Sequence, residues 1–272
     1  MPIHCPIKIA ALNENEFEAV DYRVMGHAYA SQNKLGRFCE EWAYEADLKE
    51  RLRADGFRSV QTQVPVVVEH GDFSKTYRLD MVADSAVYEL KTDHTIVAEH
   101  EAQLFGYLFL LGVQRGKLLN FRPPKVQGKL IATSLDHESR RQFSVVADRW
   151  EEITPDCARL RQTLLELLSD WGVFLTASLY QEALVHLFGG VDSVERPVRL
   201  HRENVILGSQ KMLLCSPCVA FRATAYTEAT SHVEVHLRRL LALTDLKALQ
   251  WVNLNHAKVE FTTLKNERGL LW

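Results

Sequence analysis

Long apolar runs are missing from this chain. No segment reaches the roughly 18 uninterrupted apolar residues that a membrane span needs, so no membrane association is expected. Cysteine is sparse: five in 272 residues, an odd number that argues against a secreted disulfide framework and for a reducing cytoplasm. The opening stretch, MPIHCPIKIAALNENEFEAV, lacks a signal-peptide pattern. Charge of one sign is lacking too. The net charge of −3 gives no global mark of a nucleic-acid binder. One local absence points the other way: from Ala102 to Leu135 there is no Asp or Glu, while Arg115, Lys117, Arg122, Lys125 and Lys129 all fall there. Such a stripe can follow phosphates; a solvated basic surface is the plainer alternative. What remains is ordinary for a globular protein, 47% hydrophobic and 25% charged. The length suits one large or two small domains.

Residues 77–93, YRLDMVADSAVYELKTD, have two alternating flanks rich in Val, Tyr and Leu, which suits paired strands. With Asp84-Ser85 as a two-residue hairpin loop, counting outward sets Ala83 against Ala86, Val82 against Val87, Met81 against Tyr88 and Asp80 against Glu89. Side chains so opposed have Cβ atoms roughly 4.5–5.5 Å apart. Lys91 shares the face of Glu89, because side chains alternate along a strand. Two opposed carboxylates are unfavourable unless something positive sits between them: Lys91, or better a hard divalent cation. An ordinary surface hairpin with a Glu-x-Lys pair is the bland alternative.

Asn13-x-x-Glu16 resembles a capping box opening a helix over 14–33, with Phe17, Val20, Val24 and Ala28 at helical spacing. A second helix, 37–54, carries Phe38, Trp42, Leu48 and Leu52. Strands follow at 60–69, 76–83 and 86–92, then a helix over 98–111 and strands at 118–121 and 129–135. Residues 136–156 read as a polar connector, and helical patterns resume at 157–171 and 173–188. The layout is α/β.

LGRFCEEWAYEADL (35–48) resembles the signature helix of the GxxExxY proteins, a branch of the PD-(D/E)XK nuclease superfamily. Glu41 and Tyr44 fall on the family's Glu and Tyr, and Phe38 stands at the signature's second glycine. QVPVVVEHGDF (63–73) is similar to the family's first strand and turn, RLDMVADSAVYELK supplies the Asp, Glu and Lys of the superfamily motif, and HEAQLFGYL (100–108) resembles the following helix. Gln103-x-x-x-Tyr107 matches a Gln/Tyr pair of exonuclease branches. The resemblance covers roughly residues 22–135. It implies a restriction-endonuclease-like mixed sheet flanked by helices, and a Mg²⁺- or Mn²⁺-dependent deoxyribonuclease. By that resemblance Asp80, Glu89 and the Leu90 carbonyl hold a metal ion. Glu41 binds through water or holds a second ion, and Lys91 positions or deprotonates the attacking water. Gln103 and Tyr107 fix Lys91 or a phosphate oxygen, and Arg115, Lys117, Arg122 and Lys125 contact nucleic acid. A core aromatic (Tyr107) and a helix-surface amide (Gln103) are the structural alternatives.

The second half echoes the first. WGVFLTASLYQEAL (171–184) aligns without gaps to 35–48, repeating Gly36, Phe38, Tyr44 and Leu48 as Gly172, Phe174, Tyr180 and Leu184. Residues 197–243 align to 65–111 with a shift of 132 (197 − 65). In this register Glu41 becomes Ala177, Asp80 becomes Met212, Glu89 becomes Phe221, Lys91 becomes Ala223, Gln103 becomes Val235 and Tyr107 becomes Arg239. A Ser216-Pro217 turn takes the place of Asp84-Ser85, and Met212 faces Phe221. The expectation is a tandem duplication: an intact lobe over 1–136 and a degenerate, inactive lobe over 157–272.

Cys215-x₂-Cys218-x₁₃-His232-x₃-His236 has the ligand types and spacing of a zinc site. Against it, a six-residue strand would separate Cys218 from His232 by about 20 Å. The leading expectation is therefore a cytoplasmic metal-dependent nuclease acting on nucleic acid, DNA above all, in phage defence or DNA repair, with a protein partner conceivable for the second lobe. The alternatives are a non-catalytic nucleic-acid-binding or scaffold subunit of a larger complex, and a zinc-stabilised interaction protein.

Overall fold

Helix α1 (Glu14–Leu35) begins at the expected capping box: Asn13 Oδ1 accepts from the Glu16 amide at 3.0 Å and Glu16 Oε2 from the Asn13 amide at 2.9 Å. The structure, a computed structural model, describes residues 2–203 and 205–266; residues 267–272, the end of the expected second lobe, lie outside the described residues. The chain divides into two units, Met1–Glu69 with Ser74–Ser139, and His70–Phe73 with Arg140–Trp272.

In the first unit, strands β1 (Ile3–His4), β2 (Val60–His70), β3 (Phe73–Ala83), β4 (Ala86–Lys91), β5 (Arg115–Asn120) and β6 (Gln127–Ala132) form one sheet in that order. The β3–β4 pair is antiparallel, β4–β5 parallel and β5–β6 antiparallel. The parallel step needs a crossover, supplied by α3 (Ala98–Leu111). One sheet face buries Met81, Tyr88 and Leu90 with Phe17 and Val24 of α1 and with Tyr44, Leu48 and Leu52 of α2 (Glu41–Ala54). On α3, Leu104 and Leu108 come so close to Gly116 that a Cβ there would lie 3.1 and 3.0 Å from them. A side chain there would have to push these leucines and the Val87 carbonyl back by a few tenths of an ångström. The second helix corrects the sequence reading. It starts at Glu41, and its core stripe is Tyr44, Leu48 and Leu52 at i, i+4, i+8. Phe38 and Trp42 are 80% and 72% exposed instead.

The second unit contains β7 (Ser144–Arg149), α4 (Pro155–Trp171), α5 (Ala177–Leu187), α6 (Val191–Val194), β8 (Glu195–Arg202), β9 (Val205–Ser216), β10 (Val219–Thr224), α7 (Thr230–Ala242), β11 (Ala248–Asn255) and β12 (Lys258–Lys265). Its sheet runs β8-β9-β10-β11-β12-β7. Five strands repeat the order of β2 to β6; the sixth differs, since β1 extends the β2 edge and β7 the β12 edge. The stretch read as a connector thus supplies a strand, SVVADR, parallel to β12. The short, polar-flanked run draws its pairing from the sheet edge rather than from any pattern of its own.

The two units repeat one mixed α/β fold in tandem. Gly36 and Gly172 follow α1 and α4 with φ of 78° and 79°. Tyr44 Oη donates to the Gly36 carbonyl at 2.7 Å, and Tyr180 Oη donates to that of Gly172. The helix alignment, Glu41 to Ala177, holds because both helices start there.

The strand alignment needs correction. In the first hairpin Ala83 pairs with Ala86; in the second Ser216 pairs with Val219, a shift of 133 (219 − 86). The turn is therefore Pro217-Cys218, not Ser216-Pro217. The next pairs are Val82 with Val87 and Leu214 with Ala220, so Cys215 is an extra residue, a β-bulge. Upstream of it the shift is 132 (214 − 82); downstream it is 133 throughout. Val87↔Gly116 becomes Ala220↔Leu249, and Asn120↔Gln127 becomes Asn253↔Glu260. Asn120 Nδ2 donates to the Asp93 carbonyl at 2.8 Å, and Asn253 Nδ2 to that of Tyr226 at 2.8 Å. Accordingly Asp80 corresponds to Met212, as expected, but Glu89 corresponds to Arg222, Lys91 to Thr224, Gln103 to His236 and Tyr107 to Leu240. Arg222, not Phe221, is counted across from Met212.

Candidate functional site

The hairpin of β3 and β4 has the register counted from the sequence. Asp84 and Ser85, at φ 44° and 73°, form the tip, as a two-residue turn with both central residues left-handed requires. Asp84 is fixed from below: its Oδ1 accepts from the Ser59 amide at 2.8 Å and its amide donates to the Ser59 carbonyl at 2.9 Å. This register puts Asp80, Glu89 and Lys91 on the sheet face opposite the α1–α2 core.

Asp80 and Glu89 are 8% and 1% exposed. Asp80 Oδ2 accepts from the Leu90 amide at 2.8 Å, and Lys91 Nζ donates to Glu89 Oε1 at 2.6 Å. Glu89 Oε2 is buried with no partner beyond the Asp80 carboxyl. Burial, then the Asp80 charge, pushes the Glu89 carboxyl up to about 8 against the pull of Lys91. Burial also raises Asp80, opposed chiefly by the Leu90 amide and Lys91. Lys91 is raised, because its carboxylate neighbours outweigh its burial. Glu41, at the first position of α2, is pushed up to about 7 by burial, with Lys91 opposing and Asp80, Asp93 and Glu45 adding to the rise. Three carboxyls and one ammonium thus share one field.

Gln103 and Tyr107, one turn apart on α3, are bonded to each other, Nε2 to Oη at 3.0 Å. Burial, opposed by the Gln103 bond and followed by the charges of Glu89 and Asp80, lifts the Tyr107 hydroxyl to about 12. The basic stripe is largely engaged within its unit. Lys117 pairs with Asp21, Arg115 with Glu14 at 3.7 Å, and Lys129 with Glu101 at 2.6 Å. Arg122 donates to the Thr92 and Arg37 carbonyls, both at 2.9 Å. Lys125 is exposed.

Sequence reasoning passed over Gln63. It sits on β2 with φ 53°, its side chain bonds Asp80, and its Nε2 donates to Glu45 Oε2 at 2.5 Å. A left-handed backbone at a non-glycine strand residue is costly and clusters at functional sites; no sequence pattern announces it. Phe38 is another. The Arg122 and Arg37 guanidiniums lie 5.7 and 5.9 Å from its ring.

Among the described residues no group of three or more His, Cys, Asp or Glu is gathered for one metal ion. Glu41 therefore does not join Asp80 and Glu89 in one ligand set. Nor do Cys215, Cys218, His232 and His236 converge: Cys215 is the bulge residue of β9, its Sγ on the Val219 carbonyl at 3.5 Å, whereas both histidines ride on α7. No described helix is long and apolar enough to cross a membrane.

Residues 18–131 match a family model described as the PD-(D/E)XK nuclease superfamily. No curated protein matches the chain. A solved structure titled "Crystal structure of SSO0001" is 20% identical over 45% of this chain, with a TM-score of 0.27. The chain spans 63% of that structure's length.

Proposed function

We propose, from the match of residues 18–131 to the PD-(D/E)XK nuclease superfamily, that the first unit is a metal-dependent nuclease, of the GxxExxY branch, hydrolysing DNA phosphodiesters. The observation that carries this is the pairing of Asp80 and Glu89. Two buried carboxyls face each other and are hydrogen-bonded to one another, and Glu89 Oε2 has no other partner. A buried unpaired carboxylate is costly, and a hard cation with oxygen ligands relieves that cost. The donor set therefore fits Mg²⁺ or Mn²⁺, held by Asp80, Glu89 and the Leu90 carbonyl, with Glu41 reaching it through water. When bound, such an ion lowers the pKa of a coordinated water and neutralises charge on the phosphoryl group.

The chain's own groups do the rest. Lys91, anchored on Glu89, presents its ammonium to the attacking water and the anionic phosphoryl oxygens. The Leu90 amide and Gln63 hold Asp80 in orientation. Tyr107, fixed by Gln103, offers a hydroxyl that stays protonated and can donate to a phosphate oxygen. Exposed Phe38 and Trp42 flank Glu41 and offer ring faces on which unpaired bases stack. Of the basic stripe, Arg122 and Lys125 are left for the backbone, since Arg115 and Lys117 pair with Glu14 and Asp21 of α1, on the sheet face opposite Asp80 and Glu89. A cytoplasmic role in phage defence or DNA repair belongs to the same reading, by analogy of fold. The test is incubation with single- and double-stranded DNA and RNA plus Mg²⁺ or Mn²⁺, wild type against Asp80→Ala and Lys91→Ala. Cleavage unchanged in both variants refutes the site.

The second unit we read as an inactive copy. Ala177, Met212, Arg222 and Thr224 stand where the first has Glu41, Asp80, Glu89 and Lys91, so no carboxylate remains to hold a cation.

A further inference from the structure

The second unit has not simply lost its site. A cleft of about 350 Å³ persists there, lined among others by Ser178, Gln181, Gln210, Lys211, Met212 and Arg222. Met212 and Arg222 are the counterparts of Asp80 and Glu89, and Gln181 is that of Glu45 (181 − 136). The charge at the position of Glu89 is therefore reversed. Among the described residues no Asp or Glu lines this cleft. Among the described residues the exposed side chain of Arg222 has no ion-pair or hydrogen-bond partner, whereas Lys211 is partly answered by Glu195 at 2.5 Å.

The backbone has been repaired around the exchange. In the first unit the Leu90 amide donates to the Asp80 carboxylate. Its counterpart, Ala223, donates at 3.3 Å to Gln181 Oε1, so an uncharged amide satisfies the group the carboxylate had served. Decay alone would leave that amide bare or the cleft packed shut. Here the cleft is open, no acid lines it among the described residues, and a guanidinium lines it where the first unit has Glu89. A guanidinium fork with amides and a hydroxyl around it matches phosphate oxygens.

We propose that this cleft is a non-catalytic binding site for a phosphodiester of nucleic acid, with Arg222 as its principal anion-binding group; the choice of nucleic acid over a free phosphate compound rests on the nuclease reading of the first unit. Arg222 grips the phosphate, and Gln210 and Ser178 add hydrogen bonds.

The experiment uses the full chain carrying Asp80→Asn, in chelator, with fluorescence anisotropy of labelled single-stranded DNA, its RNA counterpart and a duplex. Arg222→Glu is expected to weaken binding of at least one of these by about tenfold or more, the size of one charge-assisted hydrogen bond lost. Arg222→Ala should lower the slope of log affinity against log salt by about 1, whereas Arg222→Lys should keep the slope but recover only part of the affinity, because an ammonium carries the charge without the fork. Arg199→Glu, an exposed cation outside the cleft, makes the same change in net charge and should have little effect. Ser178→Asp, a second exposed lining position, should weaken binding as Arg222→Glu does, with melting temperature unchanged in both. Equal effects of Arg199→Glu and Arg222→Glu, or none from either, overturn the proposal. So does loss of inorganic phosphate or mononucleotide binding in Arg222→Glu with oligonucleotide binding intact, which makes the ligand a free phosphate compound. With residue 80 unsubstituted, Arg222→Glu should raise KM and leave kcat in place. Failure of the nuclease reading shows separately, as cleavage indifferent to Asp80→Ala.

Discussion

A carboxylate as enclosed as that of Glu89 is held at a cost to stability, and the geometry shows what the cost is for. Lys91 satisfies one oxygen, and the other is buried with only the Asp80 carboxyl beside it. Two outcomes follow at this scale. Asp80→Asn or Lys91→Ala should slow single-turnover hydrolysis of labelled DNA by at least ~10²-fold, since each removes charge placed for the transition state. Independently of activity, Mn²⁺ or Mg²⁺ should raise the melting temperature of the wild type as its concentration passes Kd. The same titration should leave Asp80→Ala unmoved; an equal rise in both would place the cation elsewhere. Asp80, Glu89 and Lys91 were legible because hairpin register is local: two turn residues and an alternating pattern fix which side chains meet. Gln63 was not legible, because its left-handed backbone and its reach to Asp80 exist only once β2 lies beside β3.

Between elements, the repeated tyrosine is informative. Tyr44 and Tyr180 each donate to the carbonyl of the glycine that ends the preceding helix. Gly172 is buried and Gly36 exposed, so water can replace the lost donor only at Gly36. Tyr180→Phe should therefore cost more, ~1–3 kcal/mol in urea unfolding, than Tyr44→Phe. The start of α2 carries another outcome. Trp42 is exposed and touches no core cluster, so Trp42→Ala should leave stability unchanged. It should weaken binding of single-stranded DNA by ~1–3 kcal/mol while sparing a duplex, whose bases are already stacked. Sequence periodicity put Phe38 and Trp42 inside because it began the helix four residues early. The tertiary packing of Tyr44, Leu48 and Leu52 fixed the buried stripe instead.

Across the whole molecule, a fold repeated in tandem carries carboxyls at one site and a cation at the corresponding one. With carboxylates at one site and none at the other, a single substitution should silence the chain: Asp80→Ala is expected to reduce cleavage to background in a gel assay of the full-length protein. Persistent metal-dependent cleavage in that variant would mean the second unit is active. The exchange of Glu89 for Arg222 was hidden from the sequence by one residue, Cys215, whose bulge moves every later position of the second unit by one. An ungapped alignment over 197–243 therefore matched Phe221, rather than Arg222, to Glu89.

By itself the sequence determined what depends on neighbours along the chain: the capping box of α1, the Asp84-Ser85 turn, the facing of Asp80 and Glu89, and the order of helices and strands from α1 to β6. Short-range backbone geometry allows few alternatives there. Only the tertiary structure decided that residues 144–149 join a sheet edge, that four of the five cations of the basic stripe are engaged within their own unit, and that a cation stands where the second copy would have its glutamate. Those outcomes depend on which strands hydrogen-bond across long separations, and a single bulged residue is enough to change the face a side chain takes.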